Sequence, residues 1–140
     1  MNNKSNALGI LLIVLCSCAV QAQDQTLPTE SDYYPLLQLP IPAGVVLESS
    51  AIEMMPDGKL AVASRRGDIY LVDHPLAKTA DEMKFSLHAS GLHEILGLSF
   101  HDGGLFTTQR CEVTKITDLD KNGTGDLFQA VSDVWEISGD

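Results

Sequence analysis

Basic residues are scarce in this chain. Nine Lys and Arg stand against nineteen Asp and Glu, a formal net charge of −10 over 140 residues. Nucleic acid needs clustered cations for its phosphates, so the charge balance excludes it as a partner. Aromatic residues make up 6% of the chain, and no Gly-rich phosphate loop appears. Cysteine is limited to Cys16, Cys18 and Cys111. The first two lie in a leader described next. Cys111 is then an odd cysteine, either free or paired outside this chain, and the plainer reading is a half-buried small residue beside a turn. No nucleophile elbow, Cys–His set or C-x-x-C-H haem site is present. His74, His88 and His101 show no metal-ligand spacing with His93. The longest apolar run, ALGILLIVL at residues 7–15, is too short to span a bilayer comfortably.

That run is the centre of an export signal. Lys4 supplies a positive start, residues 7–15 the apolar segment, and Val20-Gln21-Ala22 a small-x-small cleavage site. Residues 1–22 read as a signal peptide, with an uncleaved anchor as the other reading. A second exit is written over the first. Leu15-Cys16-Ser17-Cys18 resembles a bacterial lipobox, which would make a lipidated Cys18 the mature N-terminus and the sole link to a membrane. Either way the expected location is exported: periplasmic, extracellular or an outer-membrane lipoprotein. Residues 23–43 read as an extended leader. Prolines at 35, 40 and 42 forbid a helix interior or a central strand. Residues 31–42 are expected to lay Tyr33, Tyr34, Leu36, Leu37 and Leu39 on apolar surface.

From residue 44 onward the pattern becomes all-β. Residues 44–48 read as a short strand. Residues 51–73 and 95–118 are two copies of one unit: an apolar run, an Asp-Gly turn, a second strand to an arginine, another turn and a third strand. Asp57-Gly58 and Asp102-Gly103 lie 45 residues apart, as do Arg65 and Arg110. Period-2 spacing shows in Leu60-x-Val62 and Ile69-x-Leu71. Asp-Gly and Arg66-Gly67-Asp68 are tight-turn chemistry, because Gly accepts positive φ and Asp bonds its own backbone. Arg66-Gly67-Asp68 also spells a cell-adhesion tripeptide, which the turn explains without adhesion. Residues 84–88 and 127–131 are the fourth strands. A repeat of this length with four strands is the signature of a propeller blade. Residues 44–140 are therefore expected to form about two antiparallel blades.

Three places carry chemistry. The loop 118–126 sets Asp118, Asp120 and Asn122 at alternate positions ahead of Gly123, the opening of a calcium loop. The Thr124 carbonyl and Asp126 would complete the oxygen set. Gln129 stands where an EF-hand has its bidentate Glu, and no helical pattern flanks the loop, so an EF-hand is set aside. Two readings remain: a Ca²⁺-stiffened turn, or an Asx-Gly turn without metal. Asn122-Gly123-Thr124 also fits a glycosylation sequon, set aside because the lipobox points to a bacterium. His93-Glu94 is either an acid–base pair or a pair that orients a loop. Arg65 and Arg110 either cap turns or offer planar guanidinium groups to carboxylates.

One stretch carries a family likeness. Gly91-Leu92-His93-Glu94-Ile95-Leu96-Gly97-Leu98-Ser99-Phe100-His101, then Thr107-Thr108-Gln109-Arg110 and the loop 118–126, resembles the glucose/sorbosone dehydrogenase superfamily. More closely it is similar to the branch labelled membrane-bound dehydrogenase, exported proteins of environmental bacteria. Residues 95–101 are similar to the G-L-L-G-[FIL]-A-[FL]-H-P segment of soluble quinoprotein sugar dehydrogenases. The resemblance implies a six-bladed propeller that binds pyrroloquinoline quinone (PQQ) on its top face, uses Ca²⁺ and oxidises a sugar or alcohol. The family's catalytic His lies in a later blade with no match here, and Leu92 stands where quinoproteins can carry a cofactor-touching Gln. It places His93, Glu94, Arg65 and Arg110 on the cofactor face and the loop 118–126 on the opposite one. The chain then reads as the N-terminal part of such a dehydrogenase, inactive alone. The alternative is a non-catalytic propeller module that binds glycan or protein.

Two leaders predict two masses. Intact mass spectrometry of the exported chain should give an N-terminus at Gln23, or a diacylglyceryl-modified Cys18 if the lipobox is used. A mature chain still carrying Met1 would overturn both.

Overall fold

The computed structural model describes residues 27–36, 38–77 and 79–135. The signal segment, Cys16, Cys18, Leu37 and residues 136–140 lie outside the described residues. The chain divides into two units, Met1–Pro35 and Leu36–Asp140.

In the first unit α1 (Glu30–Tyr33) is a single helical turn. The Thr29 N–H donates to Asp32 Oδ2 at 2.7 Å, and this backbone bond, with one from the Thr29 hydroxyl, holds the Asp32 carboxyl below its ordinary value. Residues 31–33 are thus helical where an extended run was expected. Pro35 lies just past the turn, where proline stops a helix instead of preventing one. Within the second unit Leu36 is exposed and Leu39 half-buried, so the expected apolar anchoring is not seen for Leu36.

The second unit is all-β. β1 (Ser49–Met54), β2 (Leu60–Ser64), β3 (Ile69–Asp73) and β4 (Lys84–Ala89) form one antiparallel sheet in chain order. β5 (Gly97–His101), β6 (Gly104–Thr108), β7 (Val113–Thr117) and β8 (Leu127–Ser132) form the second in the same way. A 3₁₀ turn at Ala80–Glu82 interrupts the loop before β4. The expected strand at 44–48 is absent. β2 ends at Ser64, so the residues before Ser49 run past the end of their partner, and the Glu48 carbonyl accepts the Arg65 N–H at 2.9 Å.

The two Asp-Gly turns differ although the dipeptide is the same. In the first, Gly58 N–H bonds the Met55 carbonyl and Gly58 alone takes positive φ, +85°. Pro56 holds the turn's first corner at negative φ, so Asp57 cannot begin a type I′ turn, and Gly58 closes the loop as a bulge. In the second, His101 pairs with Gly104, and Asp102 and Gly103 both have positive φ, 46° and 71°. That is a two-residue I′ turn, one residue shorter than the first.

The shorter turn shows in the register. The row Ile52–Val62–Tyr70–Leu87 across the first sheet corresponds to Leu98–Thr107–Thr114–Ala130 across the second. The offsets fall from 46 to 45, 44 and 43 from strand to strand. The next row, Met54–Leu60–Val72–Phe85 against Phe100–Leu105–Ile116–Phe128, gives the same series. Both sheets also break register at the start of the third strand, between Ile69 and Tyr70 and between Val113 and Thr114. The repeat therefore extends to the pairing of individual residues.

The faces of the two sheets pack in one sense. Ala61, Ala63, Ile69, Leu71 and Ala89 of the first sheet form a core with Leu105 and Ile116 of the second, and Leu98 and Phe100 pack against it. By the row correspondence, that second-sheet face is the equivalent of the first sheet's other face. Front meets back, a head-to-tail arrangement. The first sheet's own front keeps Ile52 63%, Met54 51% and Leu87 48% exposed. Tyr70 on this front stacks edge-on with Phe85 at 6.5 Å; burial first, then the Asp68 charge, pushes its phenol up.

The junction between sheets is a backbone contact. Leu92 N–H donates to the Gly67 carbonyl at 3.1 Å, and Gly67 has φ +99°. A Cβ at Gly67 would overlap the Leu92 carbonyl oxygen, so the glycine of Arg66-Gly67-Asp68 serves the junction. Gly67→Ala should lose on the order of 3 kcal/mol or more, since backbone overlap adds to the left-handed cost. Gly58→Ala, at +85° in open space, should lose only about 1–2 kcal/mol. Urea unfolding of both variants checks this, and equal losses would contradict the junction.

Candidate functional site

At the end of the sheets where chains enter β1 and β5, the repeat places its arginines alike. Arg65 N–H bonds the Glu48 carbonyl at 2.9 Å, and Arg110 N–H bonds the His93 carbonyl at 3.1 Å. Donor and acceptor are both shifted by 45 residues. The side chains diverge. Arg110 Nη1 lies 3.7 Å from Glu94 Oε2, with both groups about half exposed. In the first copy it is Arg66 that pairs, through Nη2 and Nε to Glu48 Oε1 at 3.0 and 3.2 Å. Arg65 is exposed and has no ion pair among the described residues.

His93 and Glu94 do not meet as an acid–base pair. Glu94 sits at φ +46° and turns to Arg110. His93 is exposed, and what fixes it is its backbone: its N–H donates to Gln109 Oε1 and its carbonyl accepts from Arg110. The pair orients a loop.

Behind that loop lies a polar network that the sequence reading passed over. Gln109 is 7% and Thr114 2% exposed. Gln109 Nε2 donates to Glu112 Oε1 and Thr114 Oγ1, and the Thr114 hydroxyl donates to the same Glu112 oxygen. The Gln109 side chain thereby joins the entry to β5, the end of β6 and the start of β7. The signal was present in the alternation Leu105-x-Thr107-x-Gln109, which continues an inward face with a polar residue at its last step. Buried polar groups of this kind need partners, and these have them.

The loop 118–126 joins β7 to β8 at the other end of the second sheet. Asp118, Asp120 and Asp126 each bring one carboxylate oxygen within 4.8 Å of the others. The oxygens are held by the loop's own N–H groups. Asp118 accepts from Asn122 at 3.2 Å and Gly123 at 2.8 Å, Asp120 from Asn122 at 3.1 Å, and Asp126 from Leu119 at 2.8 Å. Asn122 diverges from a ligand role: its Oδ1 accepts the Thr124 N–H at 2.7 Å, and its Nδ2 donates to Asp120. Lys121 and Gly123 supply the left-handed corners, φ 60° and 96°. Hard oxygen donors at this spacing suit Ca²⁺. The same bonds close an Asx turn without it.

The loop also leans on the first sheet. His88 is 5% exposed, and its Nδ1 lies 2.7 Å from the Gly123 carbonyl. The His88 carbonyl accepts the Gly125 N–H at 2.8 Å. His88 is the residue skipped in the β3–β4 pairing, where Ile69 matches Ala89 and Tyr70 matches Leu87. A bulge re-aims a side chain, and period-2 reading has no signal for it.

Cys111 is free and half-buried beside the second turn. No helix among the described residues is long and apolar enough to cross a membrane. No family model, curated protein or solved structure matches the chain.

Asp118 carries a pH consequence. Burial pushes its carboxyl up, but the N–H groups of Gly123, Asn122 and Lys121, with a hydrogen bond to Asp120, outweigh burial and hold it below its ordinary value of 3.8. A depressed folded-state value adds stability that is full above 3.8 and is lost as pH falls through the lower, folded value. Asp118→Asn should flatten that acid limb in urea midpoints measured against pH. An unchanged limb would remove Asp118 from the account.

Proposed function

We propose that the two sheets are consecutive blades of a β-propeller in an exported protein of the glucose/sorbosone dehydrogenase type. The carrying observation is the head-to-tail packing of two register-matched meanders. The second sheet presents its front to the back of the first, and repetition of that step in one sense generates a ring or an open array. The exposed front of the first sheet, Ile52, Met54 and Leu87, is the surface a preceding blade covers in such a ring.

The dehydrogenase part of the reading rests on the resemblance of residues 91–110. PQQ carries several carboxylates, and guanidinium groups suit them. Arg110 is paired with Glu94, which leaves Arg65 as the one arginine of the proposed pair without an acidic partner among the described residues. Leu92 supplies no polar atom where a Gln would. These residues alone do not complete a quinone site, and no catalytic step is assigned to them. Within this chain the blades act as scaffold and carry no oxidation step. In a dye-linked assay with glucose, PQQ and Ca²⁺ the 140-residue chain should show no turnover. PQQ-dependent dye reduction would overturn the scaffold role.

The pairing of Glu94 with Arg110 favours the second reading, a non-catalytic module whose entry-side face binds glycan or protein. A longer protein that binds glycan and leaves the dye oxidised would select it.

Calcium at the loop 118–126 is part of the proposal. Asp118, Asp120 and Asp126 would hold the ion by carboxylate and the Thr124 carbonyl would add a neutral oxygen, while Asn122 must turn from Thr124 to join them. With no bidentate Glu, the affinity should fall in the weak extracellular range, about 10⁻⁴–10⁻³ M. Several millimolar Ca²⁺ should then stabilise the chain by roughly 1–2 kcal/mol. Asp120→Ala should abolish that gain and His93→Ala should preserve it, read as calcium-dependent melting shifts. No shift in the unsubstituted chain would reduce the loop to an Asx-Gly turn.

A further inference from the structure

A cavity of about 440 Å³ lies between the two sheets, near the end that carries both Asp-Gly hairpins. Its walls are mostly apolar: Met55 and Leu71 from the first sheet's side, Phe100, Leu105 and Ile116 from the second. Its rim carries both signs of charge, Lys59 and Lys121 with Asp57 and Asp118, and Lys59 is paired to Asp73 at 3.1 Å. A strongly charged ligand gains little from such a rim.

His88 also lines this cavity. The Gly123 carbonyl beside Nδ1 can only accept, so Nδ1 carries the ring proton. In the neutral ring Nε2 then offers a lone pair. No hydrogen bond reaches Nε2 among the described residues, although the residue is only 5% exposed. Among the described residues no fully enclosed side-chain nitrogen or oxygen lacks a partner, so Nε2 is not sealed off. An acceptor of fixed tautomer, set in a mainly apolar wall, is the arrangement by which a pocket orients a ligand with a few polar contacts.

We infer that the cavity binds a small, neutral, largely apolar molecule with one hydroxyl group, which donates its hydrogen to His88 Nε2. The volume suits one or two rings. The site is separate from the arginine end and needs no cation in the loop 118–126.

The probe is 2-naphthol, titrated into the full chain at pH 8 by calorimetry, against 2-methoxynaphthalene, which keeps the rings and oxygen but lacks the donor. The methyl ether should bind at least about tenfold more weakly, the scale of one hydrogen bond in a dry site. Ring ¹⁵N spectra should show Nδ1 protonated and the His88 Nε2 resonance moving as 2-naphthol is added. His88→Phe should bring the two ligands to equal affinity. Met55→Trp, which narrows the cavity and spares His88, should weaken both. Equal affinities in the unsubstituted chain, an unmoved Nε2 resonance at saturation, or no binding of 2-naphthol at millimolar concentration would each overturn the inference. The ¹⁵N measurement decides the matter even where a variant fails to fold.

Discussion

The contact between the front of one sheet and the back of the other is the constraint on which this fold depends. Neither sheet alone closes a core, because a single antiparallel sheet with two apolar faces must cover both. The back of the first sheet is built from small residues, Ala61, Ala63 and Ala89, with Ile69 and Leu71 between them. The front of the second brings larger ones, Phe100, Leu105 and Ile116. Small against large lets the two surfaces interdigitate at close range, which is how packed interiors reach their density. It also explains why Gly67 and Leu92 can meet backbone to backbone at the junction. A bulkier back would hold the sheets apart and break that bond.

Much of the architecture was legible before any coordinates. Strand order and the two-unit repeat followed from Asp-Gly and Arg at one spacing, because turns punctuate strands and turn residues are chosen for φ. Less legible was what depends on neighbours. Residues 44–48 have strand chemistry in Val45, Val46 and Leu47, yet no ladder forms, because the turn after Ser64 leaves nothing alongside to pair. Residues 30–33 have no apolar periodicity, and a capping contact from Thr29 to Asp32 was enough to set one helical turn. Both failures are local preferences overruled, or supplied, by a partner that composition does not name.

The candidate sites divide in the same way. The acidic loop was readable because its donors lie within nine consecutive residues and Gly123 fixes the corner they need. His93-Glu94 was readable only as two alternatives, since the choice between His93 and Arg110 as Glu94's partner depends on a turn closing 16 residues later. Gln109, Glu112 and Thr114 hid in plain sight as strand-end polar residues. His88 hid behind a bulge, which inverts the face that alternation assigns.

The two ends of the sheets are fixed by different means, and the difference bears on where ligands belong. At the entry end the restraints are backbone bonds repeated at one spacing, Glu48 to Arg65 and His93 to Arg110, with Leu92 to Gly67 between the sheets. The Glu48 and His93 bonds run backbone to backbone and do not depend on those side chains, whereas the Leu92 bond needs glycine at 67. The loop 118–126 leaves the hairpin end of the second sheet and reaches His88, next to the last residue of β4, by its Gly123 carbonyl and Gly125 N–H. That tie depends on a ring nitrogen and on a loop whose carboxylates are satisfied by their own turn. Space opens beside it because Gly103 and Gly123 line the cavity without side chains. The empty volume between the sheets thus lies beside the loop, where two glycines leave room that side chains would fill.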